Sequence, residues 1–167
     1  MKQLNFLNSE SETVTPITHW HLYVDGAARN NPGPAGAGIC LIKNGKTDVK
    51  KGFFLGNKTN NQAEYLALLI GIYTAQSVVG KDDHLAIFAD SQLLVRQMNG
   101  EYKVKDAQLK LLQNLAFHLL MPYDYTLQHV PREQNAHADE MANNGIDKKI
   151  KLPQEFLVLL QKHEIHI

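Results

Sequence analysis

The sequence predicts an α/β domain built around a five-stranded mixed sheet that is flanked by helices. Three short β-prone segments come first, separated by turn residues, as in an antiparallel meander. Beyond residue 59 the spacing of apolar residues becomes helical, and helical segments then alternate with two further apolar strands. Because strands connected through helices run parallel, the fourth and fifth strands are expected to lie parallel to the first.

The first part of the chain contains the predicted meander. Its strands are expected at residues 20–24, 37–42 and 50–55. Asn44-Gly45 is a typical hairpin turn between the second and third strands. The first strand is expected to end at Asp25, because residues 26–33 are rich in glycine, asparagine and proline, which favour turns and loops.

The remainder of the chain alternates helices and strands. Helices are predicted at residues 61–73, 91–98, 106–119 and 135–144, and strands at residues 84–89 and 123–130. Thr59, Asn60 and Asn61 are candidate N-caps of the first helix. Asn135 is expected to cap the last main helix, and Gly145 is expected to end it.

Length and composition indicate one globular domain with a proper hydrophobic core. The chain has 167 residues, of which 44% are hydrophobic and 20% are charged. We expect a flexible N-terminal tail at residues 1–18 and the functional domain at residues 19–150. A C-terminal extension at residues 151–167 is expected to pack on that domain through its apolar side chains.

Charge and cysteine content narrow the possible function classes. Lys+Arg and Asp+Glu both number 17, so a strongly basic nucleic-acid-binding protein is not indicated, although lysines cluster locally. Cys40 is the only cysteine, which excludes cysteine-based zinc sites and favours a reducing compartment. No apolar run approaches the length of a membrane span. We therefore expect a cytoplasmic monomer without membrane association.

Four carboxylates follow predicted strands or lie in the first turns of predicted helices. They are Asp25 and Asp90, which end the first and fourth strands, and Glu64 and Asp139, which lie early in two helices. Taken singly, each has an ordinary explanation as a turn residue, an N-cap or a partner of the helix dipole. Functional groups of open α/β sheets gather beyond the carboxyl ends of the strands, so the four are expected to meet in one pocket.

A pocket of four carboxylates predicts bound divalent cations, because neighbouring negative charges repel one another unless cations offset them. No cluster of His and Cys offers a softer site, so all-oxygen ligation indicates Mg²⁺, with Mn²⁺ as a substitute. Two such ions about 4 Å apart suit phosphodiester hydrolysis, since one activates water and the other stabilises the leaving oxygen. No Gly-x-Ser-x-Gly context and no Walker-type loop is present.

Four motifs give the chain a resemblance to type 1 ribonuclease H over residues 20–147. The motifs are Asp25-Gly26-Ala27-Ala28-Arg29-Asn30-Asn31-Pro32-Gly33, Thr59-Asn60-Asn61-Gln62-Ala63-Glu64, Asp90-Ser91-Gln92 and Asn135-Ala136-His137-Ala138-Asp139. The resemblance implies a ribonuclease H-like fold. It also implies endonucleolytic cleavage of the RNA strand of RNA–DNA hybrids by a two-metal-ion mechanism, leaving 5′-phosphate and 3′-hydroxyl ends.

The same resemblance implies roles for individual residues. The catalytic and metal-binding residues would be Asp25, Glu64, Asp90 and Asp139, with Asp25 bridging both ions. The substrate contacts would be Asn60, Glu64 and Gln92 at ribose 2′-hydroxyls, and Asn31 and Thr59 at a phosphate of the DNA strand. A 2′-hydroxyl both donates and accepts hydrogen bonds, so amide and carboxylate side chains can distinguish RNA from DNA.

The chain departs from some family members in two places and is most similar to compact bacterial and archaeal members. Residues 98–120 contain no tryptophan, where those members carry a basic, Trp-rich protrusion. The segment before Asp139 is short, where they carry a flexible loop with a histidine thought to assist product release. His129 is expected to be a structural strand residue, so Glu133 and His137 are the candidate substitutes.

Two alternative functions stay open. One is a non-catalytic nucleic-acid-binding module on the same fold, which the neutral net charge favours and the intact set of acids disfavours. The other is a related nuclease that acts on double-stranded RNA or on a DNA junction, because phosphate contacts carry little information about strand identity.

Overall fold

A five-stranded sheet forms the centre of the protein, whose residues 14–167 are described by a computed structural model. The strands are β1 (His19–Ala28), β2 (Gly33–Lys43), β3 (Lys46–Lys58), β4 (His84–Ala89) and β5 (Asp124–His129). Their order is β3-β2-β1-β4-β5; β1, β2 and β3 are paired antiparallel, β4 is parallel to β1, and β5 is parallel to β4. The predicted mixed sheet is therefore confirmed.

Helices cover both faces of this sheet. They are α1 (Asn60–Ala75), α2 (Gln92–Met98), α3 (Ala107–Leu120), α4 (Ala136–Lys148) and α5 (Gln154–Lys162), with a short 3₁₀ helix at Arg132–Asn135 before α4. Gly36 and Gly38 of β2 face α4, whereas the intervening Ala37 joins the core that includes α1. Because alternate residues of a strand point to opposite faces, α4 and α1 lie on opposite sides of the sheet.

The main hydrophobic core lies between the sheet and α1, α3 and α5. Tyr65, Leu69 and Ile70 of α1 are almost completely buried in it, and so are Phe156 and Leu160 of α5. Of the predicted N-terminal tail, residues 1–13 lie outside the described part of the chain, and residues 14–18 have no regular secondary structure. No helix within residues 14–167 is long and apolar enough to cross a membrane.

Several predicted boundaries differ from the structure: β2 and β3 are longer at both ends than the predicted 37–42 and 50–55, and two further differences involve the residues after Asp25 and the end of α4. Half of the predicted loop after Asp25 is strand, because β1 and β2 continue their antiparallel pairing as far as Ala28 opposite Ala35 and leave only a short turn at residues 29–32. Gly145 does not end the last main helix but lies inside α4. A Cβ at this position would overlap the backbone of Phe53, so the glycine serves close packing on β3.

Candidate active site

Three carboxylates meet at one edge of the sheet. Asp25, Glu64 and Asp90 each present a carboxylate oxygen within 4.8 Å of those of the other two. Asp25 is only 5% exposed, and the other two acids are half-buried. The three acids come from β1, α1 and the end of β4, so the fold brings together residues that are far apart in the sequence.

The parallel register of β1 and β4 places Asp25 beside Asp90. Val24 and Ala89 are the last register pair of this ladder, and the two acids are the residues that follow them. Side chains just beyond the carboxyl ends of neighbouring parallel strands share one edge of the sheet. Asp25 itself stays within β1, because its antiparallel pairing with Gly38 of β2 continues.

The start of α1 carries Glu64 to the same edge. Thr59 caps the helix: its Oγ1 accepts a hydrogen bond from the backbone N of Gln62 at 3.2 Å, and Gln62 Oε1 accepts one from the backbone N of Thr59 at 3.0 Å. Glu64 Oε2 accepts a hydrogen bond from the backbone N of Gly26 at 3.3 Å. A Cβ on Gly26 would overlap the backbone of Ala63, so this glycine allows α1 to approach β1.

Asp139 lies in the first turn of α4 and faces the same cleft, although it is not part of the group of three acids. One of its oxygens lies 3.6 Å from a guanidinium nitrogen of Arg132. The cleft has a volume of about 420 Å³ and is lined by the backbone and small side chains of residues 26–28 together with Asp25, Asn60, Asn61, Glu64, Asp90, Ser91, Arg132 and Asp139.

Burial and mutual repulsion make the acids hard to ionise together. Burial, followed by the negative charges of Glu64, Asp90 and Asp139 and a hydrogen bond with Asp90, raises the pKa of Asp25 to about 9. Burial and the charge of Asp90 raise the pKa of Glu64 to about 8, although the N–H of Gly26 partly opposes this shift. A divalent cation with a preference for oxygen ligands would offset these charges, so the donor set fits a hard metal ion.

Of the predicted substrate contacts other than Glu64, only Asn60 lines the cleft. Asn60 Oδ1 accepts a hydrogen bond from the backbone N of Ala28 at 3.2 Å. Asn31 Oδ1 accepts one from the backbone N of Asn60 at 3.0 Å, so both asparagines tie the β1–β2 turn to α1. The side chain of Thr59 is used as the cap of α1. Gln92 is exposed at the start of α2 and does not line the cleft.

The two auxiliary candidates also lie outside the cleft lining. Glu133 is an exposed residue of the 3₁₀ helix, and His137 Nδ1 lies 3.1 Å from Lys50 Nζ of β3. Arg132 lines the cleft instead, although it belongs to none of the four motifs. Its position shortly after β5 was the available signal, because the carboxyl end of β5 lies at the same edge as that of β4.

This chain is similar in sequence to known proteins over most of its length. Residues 23–145 match the family model described as reverse transcriptase-like. The chain is 40% identical over 129 residues to ribonuclease HI of Halobacterium salinarum, a match that covers 76% of this chain and 64% of that protein. The chain thus spans less than two thirds of the length of this relative.

Two solved structures are similar to this chain in both fold and sequence. The crystal structure of RNase H1 from Halobacterium salinarum has a TM-score of 0.74 and 36% identity, and the match covers 78% of this chain and 98% of that one. LC11-RNase H1, isolated from compost, was solved in complex with an RNA/DNA hybrid. It has a TM-score of 0.74 and 40% identity, with 77% of this chain and 97% of that chain covered.

Proposed function

Because this chain belongs to the type 1 ribonuclease H family, we propose that it is a metal-dependent endonuclease that hydrolyses the RNA strand of RNA–DNA hybrids. The observation that carries this proposal is the convergence of Asp25, Glu64 and Asp90, with Asp139 facing the same cleft. Burial and mutual repulsion of these acids cost stability in the absence of metal, and a protein that only binds nucleic acid gains nothing from carrying them.

The four acids would hold two Mg²⁺ ions, for which Mn²⁺ could substitute. When bound, such a pair of ions supplies an attacking water of lowered pKa and stabilises the charge on the leaving 3′-oxygen, so that the products carry 5′-phosphate and 3′-hydroxyl ends. The buried Asp25 stands centrally among the acids and is the best placed to contact both ions. The hydrogen bond from Gly26 orients Glu64 toward the same point.

Side chains along the rim of the cleft would select and hold the hybrid. The Oδ1 of Asn60 is engaged by Ala28, which leaves its amide group to donate to a ribose 2′-hydroxyl. Asn31 and Thr59 adjoin this position and would hold a phosphate of the DNA strand, while Gln92 would reach the RNA from α2. Arg132, whose side chain is 80% exposed, is placed to contact a phosphate at the other side of the cleft.

A cleavage assay on four labelled substrates tests the proposal: an RNA–DNA hybrid, double-stranded RNA, single-stranded RNA and double-stranded DNA. With Mg²⁺ we expect cleavage of the RNA strand of the hybrid, and no cleavage in EDTA. Asp25→Asn should reduce cleavage to background, because it removes a charged ligand from the centre of the cluster.

Arg132→Ala should mainly raise KM and reduce the salt dependence of binding by the equivalent of about one phosphate contact.

The same assay separates the alternative functions. Hybrid binding without metal-dependent cleavage would indicate a binding module, and preferential cleavage of double-stranded RNA would indicate a related nuclease. An Asp25→Asn variant with normal turnover would show that the acid cluster is not the catalytic site.

A further inference from the structure

A short segment, residues 130–135, connects the ends of three acid-bearing elements; we call it the brace. At one end, the backbone N of Val130 donates a hydrogen bond to the carbonyl oxygen of Ala89 at 3.0 Å. At the other end, Asn135 Nδ2 donates one to the carbonyl oxygen of Val24 at 2.9 Å. Ala89 and Val24 are register partners, and each immediately precedes an acid of the cluster.

The brace also leads directly into α4. Asn135 is the residue before this helix, and Asp139 follows four residues later. Asn135 therefore joins the β1 backbone next to Asp25 to the helix that carries Asp139. Its hydrogen bond spans 111 positions of sequence, and the residue is only 1% exposed.

The environment of Asn135 differs from that of an ordinary helix cap. The sequence predicts it as the N-cap of α4, but its side chain makes no capping hydrogen bond. Its Oδ1 is buried and has no hydrogen-bond partner among the residues that the structure describes. A buried acceptor without a partner costs stability, so the favourable polar contact of this side chain is the hydrogen bond that its Nδ2 donates to Val24.

We propose that Asn135 is a positioning residue that sets the separation of Asp25 and Asp139 and thereby the affinity of the cleft for divalent cations. This inference rests on the proposed metal-binding function. Loss of the amide leaves the Val24 carbonyl without its donor and frees the start of α4 to shift against β1. Residues that orient metal ligands from outside typically alter metal affinity about 10–100-fold when they are mutated.

Titration of the substrate-free protein with Mn²⁺ by isothermal calorimetry tests the inference independently of cleavage. Asn135→Ala and Asn135→Leu should both bind Mn²⁺ about tenfold more weakly than the wild type, or weaker still. The leucine variant fills the same space without an amide, so it separates loss of positioning from loss of packing. The rise in Tm that Mg²⁺ causes should shrink in both variants, because it depends on the dissociation constant of the ion.

Gln113→Ala is the matched control. Gln113 is also buried, and its Nε2 donates a hydrogen bond to the backbone carbonyl of Gln97 at 3.0 Å, but neither residue lines the cleft. We expect it to lower the Tm of the metal-free protein and to leave Mn²⁺ affinity at the wild-type value. Wild-type affinity in both Asn135 variants, or an equal loss in the control, would overturn the inference. A wild-type protein that binds no Mn²⁺ would overturn the proposed function together with it.

Discussion

At the scale of single residues, the acids of the cleft lower the stability of the metal-free protein by an amount that depends on pH. Asp25 and Glu64 have pKa values raised from ordinary values of 3.8 and 4.5 to about 9 and about 8. Burial is the first cause in both, and repulsion from neighbouring carboxylates is the second. In the absence of cations the folded protein therefore keeps protons that the unfolded chain has already released.

This difference predicts that the metal-free protein loses stability as pH rises between the unfolded and folded pKa values. From about pH 5 to about pH 8.5, the free energy of unfolding in EDTA should fall by on the order of 1–3 kcal/mol. Mg²⁺ should restore most of the loss at the upper pH, because it offsets the charges. Urea unfolding at both pH values, with and without Mg²⁺, measures the effect.

Asp25→Asn provides the control for this measurement. The amide cannot ionise, so the contribution of Asp25 to the pH dependence is removed and the fall in stability with pH should become shallower. A stability in EDTA that stays constant or increases with pH would contradict the assignment of raised pKa values to these acids.

At the scale of elements, glycines of the sheet determine where α4 lies. A Cβ on Gly36 or Gly38 would overlap the backbone of α4 near Ala142 or Ala138, and one on Gly52 would overlap it near Met141. The helix consequently rests on the backbone of β2 and β3 at a distance that larger residues would not permit. Asp139, which adjoins Ala138, takes its position in the cleft from this packing.

Gly38→Ala is therefore expected to displace α4 and to weaken the site. Overpacking of this kind costs about 1–3 kcal/mol, because the helix must move to accommodate the added methyl group. Mn²⁺ affinity should fall together with stability, since Asp139 moves with the helix. Thermal unfolding and Mn²⁺ calorimetry measure the two effects.

Gly80→Ala is a suitable comparison for that variant. The added Cβ would meet only side-chain atoms of Asp83, the nearest at 3.2 Å, and no backbone atom, so the loss of stability should be smaller than in Gly38→Ala. If Gly38→Ala has wild-type stability and wild-type Mn²⁺ affinity, the position of α4 does not depend on this contact.

Helix starts were predictable from local sequence, whereas several ends and side-chain roles were not. The helices predicted from residues 91 and 106 are observed there, capped by Ser91 and Asp106, because a polar residue before an apolar run is a local signal. The extension of β1 past Asp25 depends on pairing with β2. The roles of Gly145 and Asn135 depend on contacts with distant strands, which local sequence does not reveal.

At the scale of the whole molecule, the order of the elements was sufficient to predict the sheet. A meander followed by helix-linked strands determines the parallel pairing of β4 with β1, and this pairing brings Asp25 and Asp90 to one edge. The position of Arg132 shortly after β5 indicates this edge of the sheet, but its entry into the cleft depends on how the brace passes from β5 to α4. The four acids were identifiable from their sequence positions, whereas the sequence position of Arg132 indicates only its approximate place.

Anomalous diffraction from crystals of the protein grown with Mn²⁺ is the most direct test of the central claim, which is that acids from four separate elements form one divalent-metal site. We expect an anomalous peak that is coordinated by carboxylate oxygens of Asp25, Glu64 and Asp90, with a second ion toward Asp139 when a hybrid is bound. The absence of Mn²⁺ from this cluster at a saturating concentration, or its binding only elsewhere on the protein, would contradict the account.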